Sequence, residues 1–183
     1  NDISPDGKKL LCSTSKPDIT RCPFSLSSLF EIDLTTLQAD TLVAWDAYLG
    51  SASYSPDGKQ LLVTGSPSAF GGIGKNCGEH PIANDFDTQA FIMDLATKKV
   101  QAITRDFNPT VSPVQWNGVD GCIYFDTTDG DCRHIYRYVP KTGGFEMLPL
   151  EEDVITSFTL ANDNPVVAAY VGGGNTSTGV AYT

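Results

Sequence analysis

A chain of 183 residues with 12 basic against 22 acidic side chains has a formal charge of −10, a field that repels phosphate backbones and anionic lipid and excludes both as default partners. Hydrophobic residues at 40% with charged residues at 19% give enough apolar material for a packed interior, which excludes a disordered chain. The longest apolar run, Val166 to Val171, is far short of the roughly 20 residues that a spanning helix requires, so no membrane span is expected.

In chain order, Ser4-Pro5-Asp6-Gly7 reads as a tight corner: proline presets φ, aspartate bonds its own backbone, and glycine takes a positive φ. The apolar pair Leu10-Leu11 that follows predicts a strand. Leu29 to Thr36 predicts a second strand ending in a polar turn, and Leu42 to Trp45 a shorter third. The corner then returns as Ser55-Pro56-Asp57-Gly58, with Asp57 placed 51 residues after Asp6 and Leu61-Leu62 after it. Ala90 to Thr97 and Val100 to Ile103 complete this second unit. Looser copies run from Gln115 to Phe125 and from Phe158 to Val167, with Ile135 to Gly143 and Phe145 to Leu148 as the strands between them. No 3.6-residue period holds over any long window.

Four short strands per unit, repeating every 45 to 60 residues or so, are the signature of propeller blades. The expected fold is all-β: a β-propeller of four-stranded antiparallel blades, with about three and a half blades present as a fragment of a larger ring. The expected organisation is one partial domain over residues 1–183, with approximate blades at 1–47, 48–107, 108–150 and 151–183 and an insertion at 65–89. An open arc exposes apolar blade faces at its ends, so self-association is expected. Phe70 and Phe86 suggest that the insertion packs. It reads either as an ordered decoration or as a lid or recognition arm.

Five cysteines are an odd number. Cys12 with Cys22 and Cys122 with Cys132 are each ten apart, a spacing that hairpins can bridge, while buried reduced thiols are the alternative. Gly71-Gly72-Ile73-Gly74-Lys75 lacks the first glycine and the Ser/Thr of a phosphate loop. Cys77 and His80 lack a second matched ligand pair for zinc. Asp126, Asp129 and Asp131 surround Gly130 without the alternating ligand order of a calcium loop, so a hairpin turn is the simpler reading. No cofactor or metal site is therefore expected. Trp45, Trp116, Tyr124, Phe125, Tyr136 and Tyr138 alternate as strand packing does, with a stacking platform as the other reading.

The two Ser-Pro-Asp-Gly-Lys corners, each leading into a strand and then Leu34-Thr35-Thr36 or Asp94-Leu95-Ala96-Thr97-Lys98, resemble the propeller repeats of the prolyl oligopeptidase family of serine peptidases. They are similar also to the repeats of periplasmic TolB-type propellers. The long insertion and Ile103-Thr104-Arg105-Asp106 tilt the resemblance toward the dipeptidyl-peptidase and acylaminoacyl-peptidase branches. It implies a non-catalytic propeller that gates or orients peptide substrates for a separate α/β-hydrolase domain, in a periplasmic or extracellular protein. That hydrolase domain and the peptide substrate are the implied partners. No Gly-x-Ser-x-Gly nucleophile elbow occurs in these residues, and Gly174 to Gly179 has the wrong spacing, so no catalytic residue is assigned. Dipeptidyl peptidases of this family present paired glutamates to the substrate's amino terminus, which makes Glu151 and Glu152 candidate substrate-binding residues. Their spacing to Asn162-Asp163 departs from the family's pattern, and a solvated connection between blades is the alternative. The other functional reading is a TolB-like protein-binding propeller without enzymatic activity.

Overall fold

The computed structural model describes residues 1–77, 87–161, 167–174 and 179–182, which form two compact units, residues 1–107 and 108–183. In the first unit, β1 (Asp2–Ile3), β2 (Lys9–Pro17), β3 (Ser25–Asp33) and β4 (Ala39–Asp46) pair in sequence order as one four-stranded antiparallel sheet. A second such sheet holds β5 (Leu49–Tyr54), β6 (Gln60–Gly65), β7 (Gln89–Asp94) and β8 (Val100–Ala102). Antiparallel meanders of this kind follow from short corners that return the chain beside itself.

The two Ser-Pro-Asp-Gly corners repeat atom for atom. Ser4 Oγ donates to Asp6 Oδ1 at 2.7 Å and accepts the Lys9 amide at 2.9 Å; Ser55 Oγ donates to Asp57 Oδ1 at 2.7 Å and accepts the Gln60 amide at 3.0 Å. Gly7 and Gly58 take φ of +71° and +69°, the region that a side chain resists. These hydroxyl and amide donors hold both aspartates below the usual carboxylate range. The third corner closes the same span, with the Asn117 amide donating to the Cys122 carbonyl as Ser4 does to Lys9, but by a different bond set and with its glycine one residue later. Asn117 Oδ1 accepts the Val119 amide at 2.7 Å, Asp120 Oδ1 accepts the Cys122 amide at 2.9 Å, and Gly121 takes φ +69°.

Face-to-face packing of the two sheets makes the first core. Leu11, Leu29 and Leu42 from one sheet meet Tyr54, Leu61, Val63, Phe91 and Met93 from the other, all buried. Each such side chain contributes about 1.5–3 kcal/mol on leaving water. Truncating Phe91, with no exposed surface, to alanine removes about 3–5 kcal/mol.

Between β6 and β7 lies the insertion. The sequence carries no helical period, yet Ala69–Gly72 makes a single turn, α1, broken by positive φ at Phe70 and Gly71. Tertiary contacts hold it. Ala69 is fully buried, Phe70 meets Phe91 edge-on with ring centroids 5.2 Å apart, and Gln89 Nε2 donates to the Gly74 carbonyl at 3.0 Å. The expected packing role of Phe70 is met, while Phe86 and His80 lie outside the described residues.

In the second unit, β9 (Thr110–Trp116), β10 (Ile123–Asp129), β11 (Cys132–Val139) and β12 (Gly144–Met147) form another antiparallel meander. Then β13 (Val154–Leu160), β14 (Val167–Gly173) and β15 (Val180–Tyr182) follow, also antiparallel. The sequence expects separate four-stranded units, but here one parallel bridge, Arg133 with Val154, joins β11 to β13 in a seven-stranded sheet. The reason is that β12 pairs only with the 136–139 half of β11. The other half remains open, and there the Arg133 amide donates to the Asp153 carbonyl at 2.9 Å. Cys122, Tyr124, Ile135 and Ile155 form one core cluster of this unit, with Phe158, Leu160 and Tyr170 against it. The architecture is all-β, with the antiparallel sheets of a partial propeller.

Neither ten-residue cysteine spacing closes a bridge: all five thiols are free. Cys12 pairs with Phe30 in mid-strand while Cys22 sits in the hairpin tip beyond Pro17. In the other pair, Cys132 faces Asp129 at one end of the β10–β11 ladder and Cys122 precedes its far end at Ile123. At about 3.3 Å per strand residue these separations far exceed the Cα distance of about 7 Å that a disulfide tolerates.

Candidate functional site

Corners and polar turns close one end of the first unit's sheets. At the opposite end lie the 18–24 loop, the β4–β5 connection and the insertion. There a recess of about 780 Å³ opens, lined by Pro23, Tyr48, Leu49, Thr64, Ser66 and Thr88 together with Cys22, Ala47, Gly50, Gly65 and Asp87. This size suits a small ligand or a few residues of peptide.

The recess exists because backbone packs on backbone. A Cβ on Gly65 would lie 2.8 Å from the Tyr48 carbonyl oxygen, and one on Gly50 would lie 2.9 Å from the Thr64 carbonyl oxygen. Contacts that close bring the β4–β5 connection against β6, where the Ser66 amide donates to the Tyr48 carbonyl at 3.0 Å. Asp46 braces the same corner, with Oδ1 accepting the Tyr48 amide at 2.8 Å and Oδ2 the Phe70 amide at 2.7 Å. Next to Pro23 in sequence, Phe24 is exposed, as is Ile19 in the same loop. Trp45 is also exposed and carries Lys16 Nζ 3.9 Å above its ring, a cation–π pair. Of the other aromatic residues singled out in the sequence, Tyr124, Phe125 and Tyr138 are buried in packing, and Trp116 Nε1 donates to the Gly121 carbonyl.

Chemically, the recess offers an apolar floor with hydroxyl and backbone groups and the Asp87 carboxylate, which suits binding and orientation. Among the described residues no three His, Cys, Asp or Glu side chains group as metal ligands. In particular, Asp126 turns inward, buried, to pair with Arg133 Nη2, away from the hairpin tip that carries Asp129 and Asp131.

A buried polar network links the two sheets of the first unit. Glu31 Oε2 accepts from Lys9 Nζ at 2.7 Å, and Glu31 Oε1 from the Tyr54 hydroxyl at 3.0 Å. Asp2 Oδ2 accepts the Tyr54 amide at 2.8 Å. Burial, and then the bond to Glu31, raises the Tyr54 phenol above its ordinary value, while the same carboxylate raises Lys9. The sequence signal for this network is a lone acidic residue between Phe30 and Ile32 in an apolar strand.

Glu151 and Glu152 lie in the connection from β12 to β13. Glu151 is exposed, and its amide donates to the Tyr170 hydroxyl at 3.4 Å. Glu152 is half-buried and accepts the Tyr182 hydroxyl, and Tyr182 stacks on Tyr170 with ring centroids 4.7 Å apart. That bond to Glu152 pushes the Tyr182 phenol up to about 12. The two carboxylates therefore differ: one is held by a phenol and the other faces solvent. Asn162-Asp163 lies outside the described residues.

No protein-family model and no curated protein matches this chain. Solved structures do. TolB from Acinetobacter baumannii matches 98% of the chain with a TM-score of 0.65 at 22% identity. An oligogalacturonate lyase in complex with manganese matches 95% with a TM-score of 0.65 at 14% identity, and the acylaminoacyl peptidase of Pyrococcus horikoshii 93% with 0.55 at 18%. The chain spans 39%, 46% and 27% of those three proteins, less than half of each. At such identities the likeness defines the fold alone, a TolB-like propeller fold.

Proposed function

We propose that these residues are a non-catalytic propeller segment of a larger serine exopeptidase or oligopeptidase, acting outside the cytoplasm to admit and orient short peptides for an α/β-hydrolase domain. The observation that carries this reading is the Ser-Pro-Asp-Gly-Lys corner, repeated atom for atom 51 residues apart, in a chain that an acylaminoacyl peptidase matches over 93%. The recess beside Tyr48 and Thr64 supports it, since its size and its apolar floor with a few polar groups suit a short peptide segment. In this reading Glu151 meets the amino terminus of the substrate, and Glu152, held by Tyr182, shapes the same connection.

The coding sequence beyond Thr183 tests it. A segment of roughly 250 residues with Gly-x-Ser-x-Gly, then Asp, then His, is expected. Peptides with a free amino terminus then bind the complete protein, and Glu151→Gln weakens them about tenfold, the loss of one charge-assisted hydrogen bond. A frame that ends after propeller repeats alone sinks the peptidase reading and leaves the TolB-like protein-binding propeller as the alternative.

A further inference from the structure

The first sheet has two apolar faces, and the first unit covers only one. Strand register places Ile3, Leu10 and Ile32 in one cross-strand row and Cys12 beside Phe30 in the next, on the face opposite Leu11 and Glu31. The second sheet carries the same set one repeat later. Tyr54, Leu61 and Met93 form one row and Val63 with Phe91 the next, at the places of Ile3, Leu10, Ile32, Cys12 and Phe30. There the set is covered by the preceding sheet and is 7% exposed or less throughout. Here Ile3 is 58% exposed and the other four are half-buried. One repeated surface thus occurs twice, once covered by a sheet of known chemistry and once open within its unit.

We infer that the Ile3–Leu10–Cys12–Phe30–Ile32 face docks a further four-stranded repeat of the same kind, carried by the parent protein outside residues 1–183. This rests on the reading of the chain as a segment of a larger propeller protein, and the matched TolB, of which the chain spans 39%, is long enough to hold further repeats. The existing interface specifies the occupant. Leucines stand opposite the covered set at the places of Leu11, Leu29 and Leu42, so the docking repeat presents large aliphatic residues there. One position must differ. Glu31 is a carboxylate because it receives the Tyr54 hydroxyl, and Ile3 at the equivalent place has no hydroxyl to offer. The docking repeat is therefore apolar at the place of Glu31, as the second sheet is at Ile92. A carboxylate there would be buried without a donor. The amide of Ile3 makes no demand on the occupant, because Asp2 Oδ1 accepts it at 2.9 Å.

Cys12, a free thiol on this face, reports its coverage. Peptide-mapped alkylation of the full-length protein and of the 1–183 chain, with exposed Cys22 as the internal reference, measures it without a substitution. In the full-length protein Cys12 is expected to react at least about tenfold more slowly than in the 1–183 chain, at every protein concentration. The same rate in both chains overturns the proposal. Protection that grows with protein concentration overturns the assigned occupant in favour of a second copy. A protected Cys12 in a full-length protein that lacks a hydrolase segment supports this inference while sinking the peptidase reading, so the two fail separately.

Discussion

Tyr54→Phe tests whether the two sheets of the first unit are tied by a polar bond as well as by packing. The substitution removes one hydroxyl and leaves the ring, which is 7% exposed, in place. Lost with it is the 3.0 Å bond to Glu31 Oε1, whose carboxylate keeps Lys9 at 2.7 Å. A hydrogen bond to a charged group is worth about 1.5–3 kcal/mol, and 3.0 Å is long for a hydroxyl donor, so the lower half of that range is expected. With an m-value of about 1–3 kcal/mol/M, the urea midpoint falls by about 0.5–2 M. Alkaline pH supplies an independent readout. Below the unfolded phenol's pKa near 10, Tyr54 is neutral in both states and contributes no slope. Above it the unfolded chain releases a proton that the folded chain retains, because the folded phenol is raised, so stability falls as pH rises. Tyr54→Phe removes that part of the alkaline loss. Urea melts of Tyr54→Phe, Glu31→Gln and the double variant form the assay. Additive losses with no coupling between the two sites would refute the bond as a stabilising link.

Three further outcomes are expected. Gly7→Ala costs about 1–2 kcal/mol from its left-handed backbone alone, and Gly58→Ala costs more, because its new Cβ meets Pro5 Cδ at 3.3 Å; thermal melts with Gly58→Ala no worse than Gly7→Ala would remove the packing part of this account. Glu152→Gln lets the Tyr182 phenol fall from about 12 toward its ordinary value near 10, followed as absorbance at 295 nm with Tyr182→Phe as the blank, and an unmoved phenol would contradict the bond. Unfolded without reductant, the chain titrates five thiols with Ellman's reagent; three or fewer would mean that a disulfide had formed.

Much of this protein is local, and the sequence alone determined that part. Serine, proline, aspartate and glycine close a corner by bonding their own backbone, so Ser4 to Gly7 and Ser55 to Gly58 announce their geometry before any tertiary contact forms. The strands after them follow from apolar runs between turn residues, and the 51-residue return of the corner carries the repeat. What the sequence left open depends on which residues meet across space. The turn at Ala69 to Gly72 has no period of its own and stands because Phe70 packs on Phe91 and Asp46 holds its amide. Cysteine spacing suggested bridges that strand register places beyond reach. Nothing near Tyr48 in the chain foretells a recess, since it arises where Gly50 and Gly65 let two backbones touch. Glu151 and Glu152 are adjacent in sequence and read as a pair, but only the fold brings Tyr182 to one of them. The difference has one physical cause: a turn is decided by bonds between neighbours, whereas a recess, a network or an uncovered face is decided by partners tens of residues away.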